Sequence, residues 1–452
     1  MNLAEKLSRF AANLTYDDLT PTAIHEAKRR LLDSLGCAMG AMHSTPATVA
    51  RQLASTATGN PGAMVVGTGH QSSAELVAFA NGVLFRYLDF NDTYLSKEPA
   101  HPSDNIAAIL AAAQLVGASG KDIILATVLA YEIQCRLCDA YSIRAIGWDH
   151  VTYGSFSTAL ACGKLLGLTE AELTHAQGLA AIAHNAMRQT RVGMLSHWKG
   201  CAFANASRNG VFAAQLAKLG MTGPAPIFEG EMGFFNEVAR GTFDIETLGP
   251  PFMIDATYIK FWPAEYHSQS AIDAALQLRD KVGDWRRVKS IQIATFNAAV
   301  EIIGGEPEKW RPTTRETADH SLPYCVAVAL IDGDVTLDSF DAAHLGNEAL
   351  MDFIQKITVV GDAELNKRYP EGIPNRLTVT MDDGTEHVCE VTFPRGHARN
   401  PMTDAEVEKK FRSMAEALLP EAKVAEAISR CFALENEPNA DALLALFSEA
   451  AG

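Results

Sequence analysis

The sequence predicts a mainly α chain with a smaller α+β domain, and three observations carry that expectation. Apolar residues recur near the helical period of about 3.6 over most of residues 3–220, in Ala- and Leu-rich runs. After about residue 265 the apolar runs become short and β-rich. Beyond Pro401-Met-Thr-Asp404 the helical pattern returns and continues to the end. The expected organisation is a discontinuous helical domain, residues 1–265 plus 401–452, and an α+β domain of residues 266–400. A chain of 452 residues is long enough for such a division.

The elements follow in order. Met1–Leu14 has the spacing of an amphipathic helix, with Glu5, Lys6 and Arg9 on its polar side. Helices are expected over Pro21–Met42, Ala74–Tyr87, Ile106–Val116, Ile123–Tyr141, Ser155–Leu166, Glu170–Met187 and Ala202–Leu219. Thr20 precedes a first-turn Pro21, and Thr169 is followed three residues on by Glu172, so both are helix-start signals. Gly40 and Gly117 are candidate stops. A short strand is expected at Ala63–Val66. In the second domain Val288–Thr295, Ile357–Val360, Leu377–Met381 and His387–Phe393 read as strands. Asp382-Asp-Gly384 is a hairpin turn between the last two. Helices at His267–Leu278 and Ser321–Leu330 are interleaved with the strands.

Hydrophobic residues make up 48% and charged residues 20%, as in an ordinary soluble protein. The net charge of −16 leaves no surplus of cations for nucleic acid or an anionic membrane, yet a few cations in one pocket still suit an anionic substrate. No apolar run is long enough to span a membrane, and Met1–Leu14 lacks the apolar core of a secretory leader. Eight scattered cysteines suit free thiols, so the expected location is the cytoplasm.

Leu88–Asn105 is the densest concentration of functional chemistry. Carboxylates, hydroxyls, amides and His101 lie there between two apolar helices, and packing alone does not need them. Asp89, Asp92, Thr93 and His101 are candidates, with a carboxylate setting the tautomer of the imidazole. The alternative is plain helix-end capping, for which Pro102 and Ser103 are suitable. His150, in Trp148-Asp-His-Val-Thr-Tyr-Gly154, falls at a helix N-terminus, where the macrodipole favours the neutral ring. Lys199 lies at the next helix entrance, where the dipole opposes a cation and anion binding would compensate. Tyr258–His267 brings aromatic residues together with Lys260, Glu265 and His267 at the expected domain junction. Tyr324, in Asp319-His-Ser-Leu-Pro-Tyr324, either points a phenol into a cleft or buries its ring. Cys135 and Cys138 lie inside an apolar helix with no second close pair, which disfavours a metal or cluster. No nucleotide or dinucleotide signature is present, and Gly230 and Gly233 follow no strand.

Taken in order, seven segments resemble the MmgE/PrpD family. They are Leu88-Asp-Phe-Asn-Asp-Thr93, His101-Pro-Ser-Asp-Asn105, Trp198-Lys-Gly200, Glu229-Gly-Glu-Met-Gly-Phe234, Trp262-Pro-Ala-Glu-Tyr-His267, Asp319-His-Ser-Leu-Pro-Tyr324 and the stretch Pro394–Thr403. The resemblance implies a helical domain with an α+β lid, a homodimer, no metal and no cofactor. It also implies proton chemistry on a small polycarboxylate: dehydration of 2-methylcitrate or citrate, with epimerisation of iminodisuccinate or decarboxylation of cis-aconitate as alternatives. The pocket positions it implies are Asp89, Thr93, His101, His150, Lys199, Lys260 and Tyr324; of these His101, oriented by Asp89, His150 and Lys199 are read as catalytic, and Thr93, Lys260 and Tyr324, with His267 added to them, as substrate-binding. In the decarboxylase branch a further His follows the Lys closely. Here Glu265 takes that place, with His267 two residues on, which weighs against decarboxylation.

Overall fold

The computed structural model describes residues 1–193 and 195–451. Helix accounts for 57% of the chain and strand for 8%, so the fold is mainly α with a smaller α+β part. The chain divides into two compact units. The first comprises Met1–Gly193, His197–Thr257 and the tail from Thr403; the second comprises Tyr258–Met402 with Leu195 and Ser196.

In the first unit, helix starts are written in local chemistry. Asn2 with Glu5, Ser119 with Asp122, Thr169 with Glu172 and Thr403 with Glu406 each form a reciprocal capping box. The Pro21–Ala41 helix is buried nearly all round and carries Arg29, Arg30 and Asp33 inward. The tail helix Asp404–Ala415 lies along it. Lys410 reaches Asp33 at 2.7 Å and donates to the Phe90 carbonyl at 2.6 Å. Buried charges persist only when paired in this way.

Three helices form the heart of this unit: Ala74–Arg86, Val151–Leu165 and Ala202–Lys218. They approach one another closely at small residues. A Cβ on Gly82 would come within 2.9 Å of the Ala204 Cβ, and one on Gly154 within 2.5 Å of the Phe203 ring. Ridges this close fix the helix ends relative to each other.

One helix is shorter than its apolar spacing predicts. Glu170–Ala183 stops four residues before Met187. Asn185 and Asn209 side chains donate to the carbonyls of Ala181 and Ala180, at 2.9 and 2.8 Å. The residues beyond it are extended and pair with the segment before Val151: Asp149 N donates to Ala186 O at 2.8 Å, and Trp148 and Met187 form an antiparallel bridge. The tertiary pairing overrides the local helical pattern.

The second unit is built on a mixed four-stranded sheet. The strand order is Ile357–Gly361, Val288–Thr295, Asn375–Met381, Glu386–Val391. The first two are parallel and the other neighbours antiparallel. Asn375–Met381 alternates buried and half-buried residues, as expected of a strand with one covered face, while Glu386–Val391 is an open edge. The turn between them has Gly384 at φ 86°, a conformation that glycine adopts without strain. The helices Gln269–Val282 and Leu322–Asp332 complete the α+β unit.

Candidate active site

In the first unit four helix ends meet. They are the C-terminus of Ala74–Arg86 and the N-termini of Ile106–Val116, Val151–Leu165 and Ala202–Lys218. Gly200 makes the approach possible: a Cβ there would lie 3.1 Å from the Cα of Tyr87. The polar loop between the first two helices folds back on itself. Tyr94 and Ala100 exchange main-chain hydrogen bonds of 2.8 and 2.9 Å. The buried Thr93 hydroxyl donates to Ala100 O at 3.1 Å. His101 is thereby returned over Asp92.

His101 is held by the main chain. Its Nδ1 lies 2.7 Å from the carbonyl of Asp92. A carbonyl only accepts, so Nδ1 carries hydrogen and the lone pair of the neutral ring is on Nε2. The sequence suggests Asp89 as the orienting group. The oxygens of Asp89 meet Arg86 Nη1 at 2.5 Å and Lys199 Nζ at 3.1 Å. Asp89 has φ 53°, a left-handed backbone that an Asp adopts at some cost, and all three side chains are buried. Its carboxylate thus pairs with a buried ammonium group.

His150 lies beside His101, with ring centroids 5.8 Å apart. Its Nδ1 is 2.9 Å from Asp149 Oδ1, and the other oxygen of Asp149 is 2.9 Å from Arg191 Nε. Arg191 also donates to the carbonyl of Lys199 at 3.1 Å. The His150 Nε2 is buried and meets no hydrogen-bond partner among the described residues. Burial lowers the affinity of this ring for a proton, with Arg191 and Arg86 adding to the effect and Asp149 opposing it. Burial pushes the Asp149 carboxyl up, but Arg191 and His150 outweigh it and hold it well below the usual range.

Beneath the loop is a floor of buried charge. Asp92 accepts from Tyr131 at 2.6 Å and from Ser103 N at 3.0 Å, with Arg30 at 3.6 Å. Asp104 accepts from Asn91 at 2.7 Å and lies 3.6 Å from Arg86. Burial raises the Asp104 carboxyl to about 7, against the pull of Arg86 and with the push of Asp92.

The second unit carries a cluster of its own. Lys260 is buried, and Glu265 lies 2.7 Å from Nδ1 of His267. Burial pushes the Glu265 carboxyl up, but His267, His320 and Lys260 hold it at about 2. His320 in turn is 2.5 Å from Asp319. Tyr324 is a core residue: its ring is fully buried and its hydroxyl donates to Ser339 O at 2.6 Å. Of the two alternatives for Tyr324, the buried ring is the one observed. Cys135 and Cys138 are buried thiols pushed up by burial, and no group of three or more His, Cys, Asp or Glu suited to a metal ion occurs among the described residues.

The sequence alone assigns Asp149 no role, although an Asp directly before a candidate His is a usable signal. Arg86 and Arg191 give no such signal, because their partners are set by tertiary packing. No helix among the described residues is long and apolar enough to cross a membrane.

Residues 5–246 match the model of the MmgE/PrpD N-terminal domain, and residues 262–434 match that of the MmgE/PrpD C-terminal domain. Among curated proteins the chain is 31% identical to a 2-methylcitrate dehydratase of Cupriavidus necator over 414 residues, which covers 85% of this chain and 84% of that one. It is 30% identical to the 2-methylcitrate dehydratase of Escherichia coli K12, with the same coverage. It is 28% identical to a probable 2-methylcitrate dehydratase of Saccharomyces cerevisiae, covering 83% and 78%. Both domain models together span nearly the whole chain, and it belongs to the MmgE/PrpD family.

Proposed function

We propose that this chain is a hydro-lyase that dehydrates a small tricarboxylate such as 2-methylcitrate or citrate by acid/base chemistry. The names of its relatives give the substrate class. The observation that carries the chemistry is the pair of imidazoles 5.8 Å apart, each with Nδ1 tied to an oxygen acceptor.

Dehydration needs one group to take a proton from the carbon beside a carboxylate and another to protonate the departing hydroxyl. The C–H electron pair becomes the C=C bond, the C–O bond breaks and water leaves. Burial keeps His150 neutral, so it is assigned as the base through Nε2. His101 is assigned as the acid, entering as the imidazolium. Two adjacent rings are unfavourable when both are charged, which suits a single shared proton. Negative charge grows on the substrate carboxylate as the C–H bond breaks, and Lys199 is the cation assigned to it. Asp89 holds that lysine and Thr93 braces the loop.

The test is turnover of a panel containing 2-methylcitrate, citrate, cis-aconitate and iminodisuccinate, followed by absorbance of the unsaturated product, with chelator present. Dehydration of a tricarboxylate is expected to persist with chelator, and Lys199→Ala and His101→Ala each to lose about 10²- to 10⁴-fold. Near-full turnover by both variants would overturn the assignment. Two imidazoles presenting Nε2 also suit a two-base epimerase. That reaction would incorporate deuterium from heavy water with no loss of water from the substrate.

A further inference from the structure

We infer that Asp149 and Arg191 are positioning residues for the reaction: Asp149 fixes the tautomer and plane of His150, and Arg191 ties that carboxylate to the main chain that carries Lys199. The inference deepens the proposed function and rests on its acid/base assignment.

The chain of contacts is continuous. His150 Nδ1 lies 2.9 Å from Asp149 Oδ1, Asp149 Oδ2 lies 2.9 Å from Arg191 Nε, and Arg191 Nη1 donates to Lys199 O at 3.1 Å. A carboxylate cannot donate, so it selects the ring form with hydrogen on Nδ1 and the lone pair on Nε2. The main chain of Asp149 is itself fixed, since its N–H donates to Ala186 O at 2.8 Å. Ala186 N donates in turn to Thr152 Oγ1 at 3.0 Å. The early end of the Glu170–Ala183 helix is what makes this pairing possible.

A purely structural role explains this arrangement poorly. Leaving a buried polar nitrogen without a partner costs about 1–3 kcal/mol, and His150 Nε2 is such an atom. A buried ion pair is often matched in stability by apolar residues of similar volume. What Asp149 and Arg191 add is direction: one imidazole nitrogen is fixed as an acceptor, and two arms of the site are locked together. The charged and titratable groups facing His150 are Asp149, Arg191, Arg86 and the ring of His101.

The experiment uses the full chain with ¹⁵N-labelled histidine. In the wild type the His150 resonances are expected to show hydrogen on Nδ1 and a bare Nε2. In Asp149→Asn the carboxamide can donate to Nδ1, so the hydrogen is expected to move to Nε2. Turnover number should then fall about 10²- to 10⁴-fold with KM changed only a few-fold. The acidic limb of the kcat/KM profile should move to lower pH, because the carboxylate that supports the cation is gone. Asp149→Glu should recover part of the rate, and Arg191→Gln should raise KM while leaving the tautomer unchanged. A wild-type ring with hydrogen on Nε2 overturns the inference, as does a folded Asp149→Asn protein that keeps its rate and pH profile. If Asp149→Asn does not fold, the wild-type spectrum and Arg191→Gln still decide. The tautomer is read without turnover, so failure of the dehydratase assignment and failure of this inference are separate results.

Discussion

Each unit of the molecule contains a carboxylate paired with an imidazole, and the two pairs are built for different ends. In the first unit Asp149 takes Nδ1 of His150, while Nε2 is buried with no partner among the described residues and a second imidazole lies 5.8 Å away. In the second unit Glu265 takes Nδ1 of His267 at 2.7 Å and also accepts the main-chain N–H of His267 at 2.8 Å. It therefore caps a helical turn as well as holding a ring. The far nitrogen of His267 faces the Tyr369 hydroxyl at 3.4 Å, and the ring packs against Phe296 and Tyr369. One pair leaves a polar atom unsatisfied and the other satisfies nearly all of its atoms. The unsatisfied atom is the one proposed as the base, and the satisfied pair closes its own turn.

The largest expected effect comes from that contrast. His150→Gln should lower kcat/KM by about 10³-fold, roughly 4 kcal/mol of barrier, because the lone pair assigned as the base is lost. His267→Gln should cost at most about tenfold, because its pair is satisfied within its own unit. Steady-state kinetics of the two variants on the same tricarboxylate make the comparison. Equal losses in kcat would erase the distinction between the pairs.

Stability against pH gives the next contrast, with opposite signs in the two units. The Glu265 carboxyl is lowered from 4.5 to about 2. The unfolded state binds that proton more tightly, so the pair stabilises the fold above about pH 4.5 and loses its contribution as pH falls towards 2. The full contribution is at most about 3 kcal/mol. Asp104 is raised from 3.8 to about 7. The folded state binds that proton more tightly, so stability is lost as pH rises from about 4 to 7, by up to about 4 kcal/mol. In chemical unfolding from pH 3 to 8, Glu265→Gln should soften the acid loss. Asp104→Asn should gain on the wild type as pH rises. If Asp104→Asn runs parallel to the wild type across that range, the floor of the first site is not under strain.

The fold class is readable from the sequence, and so are the segments that carry the candidate site, for identifiable reasons. The loop Leu88–Asn105 stands out because its polar density contrasts with the apolar helices on either side. Lys199 stands out because a cation at a helix entrance is electrostatically misplaced. The partner of each side chain is less readable. Two loop carboxylates, Asp89 and Asp92, precede His101, and nothing in the sequence shows that the left-handed turn at Asp89 brings its carboxylate to Arg86 and Lys199. The ring of His101 meets a main-chain carbonyl, and no residue identity encodes such a contact. Arg191 acts across 42 residues on Asp149, a distance in sequence that periodicity does not reach. The end of the Glu170–Ala183 helix escapes a sequence reading for the same reason, because its apolar pattern continues while tertiary pairing pulls the chain straight.

The smallest effect tests whether the convergence of helix ends, rather than the identity of the side chains alone, sets the first unit apart. Gly200 is the entry to the Ala202–Lys218 helix, and a methyl group there would press on Tyr87 at 3.1 Å from Cα and 3.2 Å from the ring. The neighbouring backbone must give by a few tenths of an ångström. Overpacking of this kind costs about 1–3 kcal/mol, and the lower end is expected because the contact lies at a helix terminus. Lys199 would move with its neighbour, lengthening its 3.1 Å contact with Asp89. Gly200→Ala should therefore lower kcat by about tenfold while the thermal midpoint drops by only a few degrees. A glycine-to-alanine change on the Glu265 side has no such lever, because that pair is closed within three consecutive residues. If Gly200→Ala keeps its rate, the approach of Tyr87 to the helix entrance is packing without consequence for Lys199, and the site tolerates looser placement than its buried ion pairs imply.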